Sequence, residues 1–134
     1  MTMTDPIADM LTRLRNANVA MHDTVKMPGS KLKTSLATIL EREGYISGFT
    51  TSTVPNTPGA VLEIQMKYST ERNRAISGIK RVSTPGLRRY VGVMEIPRVR
   101  NGLGMAILST SQGVMSDRQA RQRRTGGELV ALVW

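Results

Sequence analysis

Apolar residues fall at helical spacing near the start of the chain. Ile7, Met10, Leu11 and Leu14 stand at i, i+3, i+4 and i+7, the stripe of a helix with one buried face. Asp5 precedes them as a cap, Pro6 fits the first helical position, and Asp9 lies near the positive end of the helix dipole. Arg13 and Asn16 flank the stripe and are expected to be exposed. Residues 25–27 form a short strand candidate closed by Pro28-Gly29. Ser30 then caps a second helix, with Leu32, Leu36, Ile39 and Leu40 as its apolar face and Gly44 as its stop. Residues 45–51 read as a strand, and residues 54–59 as a loop by their Pro, Asn and Gly content. Leu62, Ile64, Met66 and Tyr68 alternate with Glu63, Gln65 and Lys67, the pattern of a half-buried antiparallel strand.

The pattern changes after a polar stretch at residues 69–73. Residues 75–82 are weakly strand-like, Thr84-Pro85-Gly86 is a turn, and residues 90–96 and 105–110 are strand candidates. Ser116 with Gln119 three residues on is a capping box, opening a short basic helix that carries Arg118, Arg121, Arg123 and Arg124. Gly126-Gly127 ends it, and residues 128–134 make a final strand. The fold class is α+β in two small modules. Residues 1–68 run helix–strand–helix–strand–strand; residues 69–134 are mostly antiparallel β with one short helix. Modules this small bury only a modest share of their surface alone, so the two are expected to pack together.

Charge separates the halves further. The chain of 134 residues carries 19 Lys and Arg against 10 Asp and Glu, a formal charge of +9. Residues 1–67 hold seven basic and six acidic side chains; residues 68–134 hold twelve and four, and eleven of those twelve are Arg. Arg suits bidentate, planar recognition of phosphate, so a polyanion is the natural partner. The chain has no Cys and a single His, His22, which excludes disulfides, thiolate chemistry, iron–sulfur clusters and Cys- or two-His metal sites. The longest apolar run, residues 129–134, is far short of a membrane span, and Asp5, Asp9 and Arg13 interrupt any signal-peptide core. The chain therefore reads as soluble, intracellular and unprocessed, with no membrane partner.

Catalytic chemistry has little support. Asp23 adjoins His22, but sequence neighbours do not make a triad. Gly102-Leu103-Gly104 lacks the third glycine of a dinucleotide fingerprint, with Ile107 in its place, and Pro28-Gly-Ser-Lys31 lacks the spacing of a phosphate-binding loop. No enzyme, cofactor, metal or small-molecule substrate is expected. Among nucleic-acid modes the aromatics discriminate. Tyr45, Phe49 and Tyr68 are expected in the core of the first module, which leaves Tyr90 as the exposed candidate and too few rings for a stacking platform. Folded RNA fits better, since its shallow groove is read by hydroxyls, backbone amides and Arg. Ser109-Thr110-Ser111 offers three hydroxyls at the end of a strand, and Gly126-Gly127-Glu128 offers close backbone approach beside an acceptor. A DNA-binding architectural protein is the alternative; it needs a dimer face or a minor-groove wedge, and the sequence displays neither.

The segment Thr4-Asp-Pro-Ile-Ala-Asp-Met-Leu-Thr-Arg13 resembles the N-terminal signature of the bacterial-type family of small-subunit ribosomal protein eight. So does Thr84-Pro-Gly-Leu-Arg88, and above all the run from Gly102 to Arg121 followed by Gly126-Gly-Glu128. The resemblance covers essentially the whole chain. It implies a non-enzymatic cytoplasmic protein of the ribosome that binds the central domain of 16S ribosomal RNA through its C-terminal module and helps assemble the platform of the small subunit. Neighbouring small-subunit proteins, protein five among them, are the implied protein partners. Carried over by position, the RNA contacts are Ser109, Thr110, Ser111, Tyr90, Gly126, Gly127 and Glu128. Arg88, Arg89, Arg123 and Arg124 are further candidate RNA-binding residues, Arg123 and Arg124 through phosphate, with Lys31 and Lys33, expected to be exposed, as accessory phosphate contacts. Thr125, Leu132 and residues 69–73 depart from the family pattern without touching the hydroxyl cluster.

Overall fold

A computed structural model describes residues 5–53 and 59–134. Most of the expected loop at 54–59 lies outside the described residues. The mixed α+β class is as expected: three helices and eight strands are described, and every strand pairing is antiparallel. The chain clusters into two compact units. One is Thr12–Ile76; the other is Ser77–Trp134 together with the segment ending at Leu11.

Helix α1, Pro6–Val19, starts where Asp5 caps it: Ala8 N–H donates to Asp5 Oδ1 at 3.2 Å. Its stripe is buried as the spacing requires, while Arg13 and Asn16 are exposed. Strand β1 is Thr24–Pro28 and helix α2 is Lys31–Arg42. Ser30 Oγ accepts from Lys33 N–H at 3.2 Å, and Gly44, at φ +84°, follows the helix as its stop. Leu36, Ala37, Ile39 and Leu40 form the buried face. Leu32, expected on that face, is exposed; in the first turn of the helix the inward position is taken by Lys33 instead. Strands β2, Ile46–Thr53, and β3, Ala60–Met66, complete a three-stranded sheet in the order β1-β3-β2. Leu62, Ile64 and Met66 alternate inward on β3. Tyr68 lies beyond the strand, bridged to Arg74, and its hydroxyl donates to His22 O at 2.6 Å. Tyr45, Phe49 and Tyr68 are half-buried rather than core residues.

The second unit is a five-stranded sheet. Its strands are β4 (Ile79–Arg81), β5 (Tyr90–Val91), β6 (Met105–Thr110), β7 (Gly113–Ser116) and β8 (Gly127–Val133). Their order is β4-β8-β6-β7, with β5 also pairing to β8. The strand expected over residues 90–96 stops at Val91, because Val91 pairs with Gly127, the first residue of β8, and nothing further continues the ladder. Two 3₁₀ turns, Val93–Glu95 and Val99–Gly102, follow. Helix α3, Asp117–Gln122, opens on the expected capping box, with both reciprocal bonds between Ser116 and Gln119 present. It ends sooner than expected: Arg123 is its C-cap, and Arg124 takes φ +50°, a turn that ends helices. Ile96, Val99, Ala106, Leu108, Met115, Ala120 and Leu129 form the core of this unit. Asp5 belongs to it too. Its carboxylate pairs with Arg81 at 3.1 Å, and Arg81 Nη1 donates to Val130 O at 2.7 Å.

Candidate nucleic-acid interface

Two glycines set the geometry. A Cβ on Gly126 would lie 2.3 Å from Val91 O, and one on Gly127 would lie 2.4 Å from Ser109 O. The start of β8 therefore threads between the backbones of β5 and β6 with no room for side chains. The register follows: Glu128 lies opposite Ser109 on one side and Tyr90 on the other. Directly paired residues project from the same face of a sheet, and adjacent strands lie roughly 4.8 Å apart. Ser109, Glu128 and Tyr90 thus make one row across three strands. Neighbouring Leu108 and Leu129 belong to the core beneath. Tyr90 is 69% exposed, as the reading of the aromatics requires.

The three hydroxyls divide. Ser111 and Gln112 form the two-residue tip of the β6–β7 hairpin, whose last ladder pair is Thr110 with Gly113. Thr110 Oγ1 donates to Gly113 O at 2.8 Å and accepts from Gln112 N–H at 3.1 Å, so this hydroxyl closes the turn. Ser109 and Ser111 have no side-chain hydrogen bond among the described residues and can offer donor and acceptor capacity outward. Arg123 Nη1 reaches Gln112 Oε1 at 3.5 Å, which sets the end of α3 beside the hairpin tip. Arg124 lines a groove of about 470 Å³ with Arg98, Arg121, Val93, Met94 and Ile96.

Glu128 is held from the other side. The turn at Thr84–Leu87 is closed by reciprocal backbone bonds of 3.1 Å and delivers Arg88 and Arg89 to the row. Arg88 Nη1 pairs with Glu128 Oε2 at 2.8 Å. Ser83 Oγ donates to the same Oε2 and accepts from Arg89 N–H at 3.1 Å. Arg89 O accepts from Leu129 N–H at 2.8 Å, and its side chain is exposed. Burial alone would raise the Glu128 carboxyl; the hydrogen bonds from Ser83 and Arg88 and the charges of Arg88 and Arg81 outweigh it and hold the group below its ordinary range.

The structure thus gathers Ser109, Thr110, Ser111, Tyr90, Gly126, Gly127, Glu128, Arg88, Arg89, Arg123 and Arg124 in one unit. Lys31 and Lys33 belong to the other. Lys31 is exposed, but Lys33 is not: it is 5% exposed, and its ammonium donates to Pro28 O at 2.8 Å. Its position among the buried residues of α2 turns it inward, which corrects the expectation of an exposed phosphate ligand. Ser83 was missed. A lone serine ahead of a Pro-Gly turn carries no sequence signal; only the closed fold brings it to Glu128. Among the described residues no helix is long and apolar enough to cross a membrane, and no cluster of three or more His, Cys, Asp or Glu could hold a metal ion.

The family model described as ribosomal protein S8 matches residues 5–134. The chain is 58% identical over 134 residues to the small ribosomal subunit protein uS8 of Leifsonia xyli, covering all of both chains. It is 57% identical to that of Salinispora arenicola and 53% identical to that of Geobacillus kaustophilus, again over the full length of each.

Proposed function

The chain belongs to the ribosomal protein S8 family, and on that premise we propose that it is a non-enzymatic, structural constituent of the small ribosomal subunit that binds the central domain of 16S ribosomal RNA. In that role it joins early, helps build the platform of the subunit in the cytoplasmic ribosome, and lies beside other small-subunit proteins, protein five among them. The observation that supports this best is the row Ser109–Glu128–Tyr90 with arginines on both flanks. Arginines supply attraction to phosphate, which is strong and blind to sequence. Uncharged hydroxyls, one anchored carboxylate and one exposed ring supply readout of 2′-hydroxyls, base amino groups and a base face. The split of charge, +1 in residues 1–67 and +8 in residues 68–134, supports assigning the contact to residues 69–134.

The test compares the full chain against three probes across a salt series: a transcript of the central domain, a DNA duplex of equal length, and a transfer RNA. Binding to the transcript should be tighter by about 10³-fold or more at physiological salt, with similar salt slopes for all three. Equal affinity for the DNA duplex would overturn the reading in favour of a general architectural binder.

A further inference from the structure

Ser83 has no exposed surface at all and so cannot touch a ligand itself. Its backbone is fixed, since Ser83 N–H donates to Leu129 O at 3.1 Å. Its hydroxyl accepts from Arg89 N–H, which commits one lone pair and leaves its single proton for another acceptor. That proton goes to Glu128 Oε2, across 45 residues of sequence. A buried serine with no wider task usually bonds to nearby main chain. This one spends its only proton on a side chain of the proposed binding row. Arg88 shares Oε2, but its side chain is 48% exposed, against 19% for Glu128. Both bonds fall on Oε2, and Oε1 takes none among the described residues.

We infer that Ser83 is a positioning residue for RNA recognition: it locks the Glu128 carboxylate through Oε2 and thereby presents Oε1 to a donor on the RNA, while Arg88 is the exchangeable partner that turns to phosphate. The lock removes the cost of ordering a flexible glutamate at the moment of binding. It also ties the Thr84–Leu87 turn to β8, because the same hydroxyl holds Arg89 N–H. The donor is an amino group of a base or a sugar 2′-hydroxyl, both of which a carboxylate oxygen accepts from. This role rests on the RNA reading above.

The experiment is a double-mutant cycle on the full chain. Affinity is measured for the central-domain transcript and for an unrelated RNA duplex of equal length, at one salt concentration. Ser83→Ala should weaken transcript binding about fivefold to tenfold and leave duplex binding unchanged. In the Glu128→Ala background, which removes the acceptor, the same change should cost less than twofold. Ser83→Thr, which keeps the hydroxyl, should restore the wild-type ratio. Should Ser83→Ala fail to fold, Ser83→Cys, close in volume but a weak donor, takes its place in the cycle. An equal loss in both backgrounds, no loss at all, or a folded Ser83→Thr protein that behaves as Ser83→Ala would overturn the role. If the unaltered chain binds both RNAs equally, the RNA reading itself falls, and this role with it.

Discussion

At the scale of single residues, adjacent hydroxyls have different employment. Thr110 is consumed by its own turn, whereas Ser109 and Ser111 are uncommitted. Thr110→Val keeps the shape and removes both bonds. It should lower stability by about 1–3 kcal/mol, read as a fall in melting temperature. Ser109→Ala and Ser111→Ala should leave the melt unchanged and weaken transcript binding about fivefold. If the pattern reverses, with the serines governing stability and Thr110 governing affinity, the division of labour is wrong. Lys33 carries the complementary lesson. Charge type promised a surface contact, but position decided otherwise: a lysine at a buried helical position turns its ammonium to the nearest carbonyl, here Pro28 O.

At the scale of elements, the site is a consequence of strand spacing. Gly127→Ala puts a methyl group against Ser109 O, and β8 must move away from β6. We expect a loss of about 1–3 kcal/mol, with transcript discrimination lost even in molecules that remain folded. Unchanged discrimination would mean that the row is not the reading surface. Elements that declare themselves locally were legible in the sequence. The caps at Asp5, Ser30 and Ser116, the stripe of α1 and the alternation of β3 all rest on neighbours a few residues away. Elements defined by distant partners were not. β5 is two residues long because β8 begins at Gly127, and β7 is a strand of four residues because β6 lies beside it. Arg124, at φ +50°, fills a turn for which the sequence offers no glycine until Gly126, so α3 ends early. In the candidate site the hydroxyl cluster, the glycine pair and Tyr90 could be read from residue type. Their alignment, and the hold of Ser83 on Glu128, arise only when strands far apart in the chain come into register.

At the scale of the whole molecule, an ion pair ties the residue ahead of α1 to β4 of the second sheet. Asp5 meets Arg81, and Arg81 reaches Val130 O on β8. Burial would raise the Asp5 carboxyl, but the hydrogen bond and charge of Arg81 and the N–H groups of Ala8 and Ile7 together hold it below its ordinary value. A carboxyl lowered in the folded state contributes stability above its unfolded pKa and loses it as pH falls through the folded one. Melting temperature should therefore drop on acidification below about pH 4. Asp5→Asn should be less stable near neutrality and show a shallower acid slope; an unaltered slope would remove Asp5 from the account. The order of strands has a further result. β8 follows the other strands of its sheet in the chain, yet it pairs with β4, β5 and β6. Translation proceeds from the N-terminus at roughly 5–20 residues per second, so three strands wait, unpaired with β8, until residues 127–133 have left the exit tunnel. A nascent chain still short of that point has the arginines but not the aligned row proposed to choose among RNAs. On the proposed reading, selectivity waits on β8, and a chain interrupted before residues 127–133 is a sticky cation rather than a competitor for the cognate site.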